Sequence, residues 1–148
     1  MDIILIAAIT LDGYIARNSN EVISWSKDLS LFKKQTMGYP VIMGSNTEKT
    51  LAVELKGREQ IVVHINDNPK KILDELNTEK CFIIGGGRTY TKFAPFLTHL
   101  YITPHPIIFR KGIPLFPKLD RELSLQFVRM VLVNKTEGIY QFQYRVIK

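Results

Sequence analysis

The sequence predicts an α/β fold of three layers, with a central, mostly parallel sheet, flanking helices and a C-terminal antiparallel hairpin. Three observations predict it. Short apolar runs rich in β-branched residues recur along the chain, and segments with helical spacing of apolar residues lie between them. Towards the C-terminus this alternation gives way to two long strand-like segments separated only by a turn. Strands that alternate with helices need crossovers and so lie parallel, whereas two strands joined by a short turn lie antiparallel.

The elements follow in order. Ile3 to Ile9 is apolar throughout and reads as a strand buried on both faces. Val41-Ile42-Met43, Ile61-Val62-Val63 and Cys81-Phe82-Ile83-Ile84 are further short strands, each ended by a polar or glycine residue. Three helices are expected between them. Asp28 to Met37 places Leu29 and Phe32 on one face with Lys33-Lys34 outside; Pro69 to Asn77 begins with a proline; Arg88 to Leu97 follows a glycine run. Leu123 to Val133 and Ile139 to Ile147 form the hairpin around Asn134-Lys135-Thr136-Glu137-Gly138, with Tyr140, Phe142, Tyr144 and Val146 on one face. No repeat, linker or low-complexity tract divides the chain, so residues 1–148 are read as one domain.

Composition fits a folded, water-soluble chain: of 148 residues, 45% are hydrophobic and 23% charged. The N-terminal apolar run is flanked by Asp2 and Asp12 and is too short to span a bilayer, so a cytoplasmic protein without a membrane partner is expected. The single cysteine, Cys81, cannot form an internal disulfide, and three scattered histidines give no metal-ligand spacing, so no metal is expected. The net charge of +6 favours an anionic partner. Because the basic residues are dispersed as pairs (Lys33-Lys34, Lys70-Lys71, Arg110-Lys111), a solvated face or a small phosphorylated ligand is expected rather than a nucleic acid.

The sharpest local motif is Ile84-Gly85-Gly86-Gly87-Arg88-Thr89-Tyr90, three glycines after a strand and before a helix. Glycine permits close backbone approach and a helix start supplies free N–H groups, which suits a pyrophosphate; a tight turn is the plainer reading. The spacing is not the Rossmann fingerprint, since Tyr90 stands where its third glycine belongs. A second strand end, Met43-Gly44-Ser45-Asn46-Thr47, offers either helix caps or phosphate donors. Asp28 is either a cap of its helix or a carboxylate able to bind a protonated heterocycle by paired hydrogen bonds and to assist proton delivery. Arg58 after Gly57 either pairs with a ligand carboxylate or sits exposed in its turn, and the Thr103 hydroxyl is either structural or a partner of Asp28. His64, His99 and His105 show no acid or nucleophile partner in the sequence, so hydrolase chemistry has no support.

Taken in order, these pieces resemble the dihydrofolate reductase family over nearly the whole chain. The matching segments are Ile6-Ala7-Ala8, the loop from Asp12 to Ser26 with Trp25, Asp28-Leu29-Ser30-Leu31-Phe32-Lys33 and Pro40-Val41-Ile42-Met43-Gly44. Leu55-Lys56-Gly57-Arg58, Ile84 to Tyr90, Leu100-Tyr101-Ile102-Thr103 and Phe116-Pro117 continue the match. The resemblance implies a reductase that passes hydride from NADPH to C6 of 7,8-dihydrofolate while a proton reaches N5. Asp28 and Thr103 would be catalytic. Ile6, Ala7, Leu29, Phe32, Leu51 and Ile84 would line the substrate, and Arg58 would hold its glutamate carboxylate. The cofactor would lie against Ala8, Ile15, Gly44, Ser45, Asn46, Thr47, His64, Gly85, Gly86, Gly87, Arg88, Thr89 and Tyr90. A cis peptide at Gly85-Gly86 is also implied.

The departures from that pattern are specific. Ser45 stands where the family carries an arginine toward the cofactor 2′-phosphate, and His64 replaces a small hydroxyl residue, which leaves NADPH and NADH both open. Thr10 to Ala16 and Pro104 to Phe116 look more like the reductase domain of riboflavin biosynthesis, which reduces a ribosylaminopyrimidine phosphate. That activity is the alternative, and a non-catalytic nicotinamide-nucleotide-binding module is a further one. The chain would act as a monomer or a homodimer.

Overall fold

A computed structural model describes residues 1–51 and 55–148. Its elements are β1 (Asp2–Thr10), β2 (Tyr14–Ala16), α1 (Leu29–Thr36), β3 (Val41–Gly44), α2 (Ser45–Thr50), β4 (Gln60–Val63), α3 (Pro69–Asp74), β5 (Lys80–Gly85), α4 (Gly87–Phe93), β6 (His99–His105), β7 (Ile113–Pro114), β8 (Ser124–Asn134) and β9 (Ile139–Ile147). The main sheet has the order β4-β3-β5-β1-β6-β9-β8, and β2 pairs with β7 apart from it. From β4 to β6 all neighbours are parallel; β9 runs antiparallel to β6, and β8 to β9. The expected α/β architecture with a C-terminal hairpin is therefore present.

Each expected helix forms, and each is shorter than expected. Pro69 opens α3, where its missing N–H costs nothing, and the Asn68 side chain caps it by accepting from the Lys70 and Lys71 amides. The segment from Arg88 to Leu97 does not stay α-helical. It tightens into a 3₁₀ turn at Ala94–Phe96, because Pro95 lacks the donor that would continue the ladder. Pro104 lies inside β6, which is tolerated because β9 pairs with β6 only from His99 to Ile102 and leaves that side open beyond.

Alternation along β1 splits the core in two. Leu5 and Ala7 face one side with Ile83, Tyr90, Phe93 and Leu97, under α3 and α4. Ile4 and Ile6 face the other with Met43, Phe82 and Phe32, under α1. Along β9 burial does not follow the aromatic face, although Val146 and Ile139 are in the core. Tyr140, Phe142 and Tyr144 are only half-buried, whereas Gln141 and Gln143 are buried beneath α1. Burial of amides is tolerated only when they are paired, and here they are. Gln141 and Gln35 exchange two hydrogen bonds of 2.8 Å, and Gln143 donates to Gln141 Oε1 at 2.9 Å.

Candidate active site

The parallel strands all end at one edge of the sheet, where ligands gather in such folds. Asp28 reaches this edge from the N-terminus of α1. It occupies the cap position but makes no capping bond with its side chain, and it is only 7% exposed. Burial raises its pKa above the usual carboxylate value; a positive charge on the nearby His105 would oppose that shift, and the nearby Thr103 hydroxyl does. The Thr103 hydroxyl lies close enough to favour the carboxylate, yet it completes no well-formed hydrogen bond among the described residues. Trp25 Nε1 is likewise buried without a partner among them. A buried carboxyl beside unsatisfied polar groups is unusual for a purely structural site and suits a polar ligand.

Apolar residues wall the same face. Ile6, Phe32, Leu51 and Ile84 belong to one cluster with Met43 and Phe82. Outside it, between α1 and the turn at residues 56–58, lies an open cleft of about 440 Å³ lined by Leu29, Ser30, Phe32, Lys33, Met37, Lys56 and Arg58. Arg58 is not exposed in its turn. Its Nη1 donates to Thr36 Oγ1 at 3.1 Å, and burial pushes its pKa down. A guanidinium held against α1 at the mouth of an apolar cleft is positioned for a carboxylate.

The two glycine turns meet at the same edge. A Cβ on Gly44 would lie 2.8 Å from Thr89 Oγ1, and one on Gly85 or Gly86 would lie 3.2 or 3.3 Å from Thr47 Oγ1. Each turn is therefore packed against a threonine of the other, leaving little room for a side chain at Gly44, Gly85 or Gly86. The Gly85-Gly86 peptide is cis, as the resemblance implied. Ser45, Asn46 and Thr47 open α2 directly after Gly44, and His64 follows β4 beside β3, exposed, with its amide on Asp67 Oδ2. Ala8 pairs in register with Thr103, and Ile15 on β2 packs at the edge of the core.

A family model described as dihydrofolate reductase matches residues 2–146. The chain belongs to the dihydrofolate reductase family. It is accordingly an oxidoreductase enzyme that uses a nicotinamide cofactor. It is 35% identical over 88 residues to the dihydrofolate reductase of Bacillus subtilis (strain 168), a match that spans 51% of this chain and 52% of that one. It is 32% identical over 117 residues to the dihydrofolate reductase type 3 of Salmonella typhimurium, covering 70% and 71% of the two chains. Among solved structures, dihydrofolate reductase from Enterococcus faecalis complexed with NADP(H) and RAB-propyl superposes with a TM-score of 0.78 at 21% identity, covering 99% of this chain and 97% of that chain. A riboflavin biosynthesis protein, described as putative, from Shewanella sp. PV-4 superposes at 0.65 and 20%, covering all of both chains, and so shares the fold.

Within this reductase, the side chains of two residues expected around the ligands, Ala7 and Tyr90, face elsewhere. The Ala7 side chain lies on the opposite face of β1 from Ile6, in the core under α4, because neighbouring strand residues alternate. Tyr90 is 3% exposed, and its hydroxyl donates to the Ile6 carbonyl at 2.8 Å, bridging α4 and β1. A Cβ on Gly87 would meet Pro117 Cγ at 2.8 Å and Ile113 Cγ2 at 3.2 Å, so packing explains the third glycine. Arg88 is exposed on α4, while Thr89 turns inward to Gly44.

Two residues escaped the reading of the sequence. His105 is 1% exposed and interacts electrostatically with Asp28. Its partner Lys27, next to Asp28, is 78 residues away in the chain, so no local spacing announces that contact. Asp12 ties the loop after β1 to the segment before β7, accepting from the Phe109 amide at 3.1 Å, the Arg110 amide at 2.8 Å and the Thr10 hydroxyl at 2.6 Å. The Asp-Gly pair at residues 12–13 was its only signal, and it reads equally well as a turn.

Proposed function

We propose that this enzyme reduces 7,8-dihydrofolate to tetrahydrofolate with NADPH as the hydride donor. The observation that carries the reading is the Asp28 carboxyl, buried, uncapped and raised in pKa, at the end of an apolar wall and beside the glycine turns. Such a group holds paired hydrogen bonds to a cyclic amidine and, with its pKa raised by burial, is better suited than an exposed carboxylate to assist proton delivery. Bound nicotinamide cofactor supplies the hydride to C6 of the substrate.

The chain's own residues do the rest. Asp28 orients the pterin ring and supports delivery of the proton to N5, with Thr103 on the same carboxyl. Ile6, Phe32, Leu51 and Ile84 exclude water and position the ring by contact, while Leu29 and Arg58 border the cleft that would take the glutamate tail. Gly44 to Thr47 and Gly85-Gly86 would hold the cofactor. Their close mutual approach leaves main-chain groups as the facing surface there, which fits a pyrophosphate.

The test is oxidation of NADPH with dihydrofolate, followed by loss of the reduced-nicotinamide absorbance. Turnover well above background supports the reading, and none, with cofactor demonstrably bound, removes it. Parallel runs with NADH report what Ser45 and His64 do to cofactor choice. A second reading, reduction of a ribosylaminopyrimidine phosphate, is favoured by the segments Thr10 to Ala16 and Pro104 to Phe116, which Asp12 joins. That activity would survive Asp28→Ala, whereas folate reduction would fall about 100-fold or more.

A further inference from the structure

His105 sits at the end of β6, two residues beyond Thr103, and both of its ring nitrogens are occupied by main chain. Nδ1 lies 2.8 Å from the Thr103 carbonyl oxygen, and Nε2 lies 2.9 Å from the Lys27 amide nitrogen. These partners allow one protonation state. A carbonyl only accepts, so Nδ1 carries the hydrogen; an amide N–H only donates, so Nε2 is bare. The imidazole is therefore neutral, in a single tautomer, with its hydrogen-bonding capacity filled. Trp25 packs against the ring edge-on, with centroids 5.3 Å apart and planes at 86°.

The two bonds join the residues that matter most for the proton. Lys27 immediately precedes Asp28, and the carbonyl belongs to Thr103, whose side chain approaches the same carboxyl. Since Asp28 makes no capping bond of its own, α1 does not fix the carboxyl by that route. We propose that His105 is a positioning residue of this reductase: as a neutral imidazole it ties the peptide before Asp28 to the Thr103 carbonyl and so sets where the Asp28 carboxyl lies. An imidazolium could not do this. Its Nε2–H would oppose the Lys27 N–H, donor against donor, and its charge would draw the proton off Asp28. Asp28 lies at the start of α1 and Trp25 is uncharged, while the Lys27 ammonium points to Glu137, at 3.7 Å in the exposed turn before β9.

The inference rests on Asp28 serving the proton, as proposed above, and its test separates the two. In the full-length, nitrogen-labelled protein at neutral pH, the His105 ring should show a protonated Nδ1 and a bare Nε2. Its signals are identified by elimination with His64→Gln and His99→Gln, neither of which touches the cluster. His105→Phe keeps the ring against Trp25 but makes neither bond, and kcat should fall at least about tenfold, toward the ~100-fold that a misplacement of about 1 Å costs. KM for the cofactor should not move, because the hydrogen bonds of His105 run to Lys27 and Thr103 and not to the glycine turns. His105→Gln, whose Oε1 can accept from the Lys27 amide, should recover most of kcat. A charged ring, a protonated Nε2, or wild-type kcat in His105→Phe overturns the proposal. If His105→Phe does not fold, the wild-type spectrum and the His105→Gln kinetics decide alone. Failure of the wild-type enzyme to reduce dihydrofolate would sink the substrate assignment, and the ring spectrum would still test the tie.

Discussion

Tyr90→Phe removes one oxygen and tests whether the residue is a structural post or a cofactor ligand. β5 pairs with β1 only as far as Leu5 and Ile83, and the carbonyl of Ile6, next along β1, takes the Tyr90 hydroxyl instead at 2.8 Å. Burial and the Asp28 charge both push the phenol's pKa up, so it is a donor throughout the working pH range. Losing a typical hydrogen bond costs about 0.5–1.5 kcal/mol net, and leaving a buried acceptor without a partner raises this to about 1–3 kcal/mol. With a urea slope of about 2 kcal/mol per M, a 2 kcal/mol loss lowers the unfolding midpoint by about 1 M. The assay is urea unfolding followed by circular dichroism, with cofactor affinity measured on the same samples. The expected result is a lowered midpoint at unchanged slope, with cofactor affinity little changed. An unchanged midpoint with weakened cofactor binding would refute the reasoning and return Tyr90 to the phosphates.

Three further outcomes follow from the same geometry. Asp28→Asn should cut turnover about 100-fold or more while stabilising the fold at neutral pH. A carboxyl whose pKa is raised on folding costs stability as pH climbs above the ordinary carboxylate value, so the stability gain in thermal unfolding should vanish in acid. Gly87→Ala should lower stability by about 1–3 kcal/mol in urea unfolding, since the new methyl meets the rigid Pro117 ring at 2.8 Å. Asp12, held below the usual carboxylate range first by the Thr10 hydroxyl, contributes at neutral pH and loses that contribution as pH falls through its lowered value. Hydrogen-exchange protection of the Phe109 and Arg110 amides, relative to their intrinsic rates at each pH, should therefore fall in acid, and at neutral pH in Asp12→Ala; equal protection in wild type and variant at neutral pH would dismiss the tie.

Much of this molecule could be read from the chain alone, wherever the cause is local. Apolar runs gave the strands because a buried parallel strand must be greasy on both faces, and Pro69 with Asn68 marked a helix start by backbone chemistry that needs no neighbour. The glycines at 44, 85 and 86 announced close backbone approach, and Asp28 announced a carboxyl at a helix start.

Tertiary structure decided which alternative each of those residues fulfils. Asp28 makes no cap bond, and Thr103 and His105, from a strand far along the chain, lie beside its carboxyl instead. Tyr90 turns to Ile6 across 84 residues, and Gln141 is buried because Gln35, 106 residues away, returns both of its hydrogen bonds. Local sequence sets what a side chain can do, but burial and hydrogen-bond satisfaction depend on partners that only the folded chain brings together.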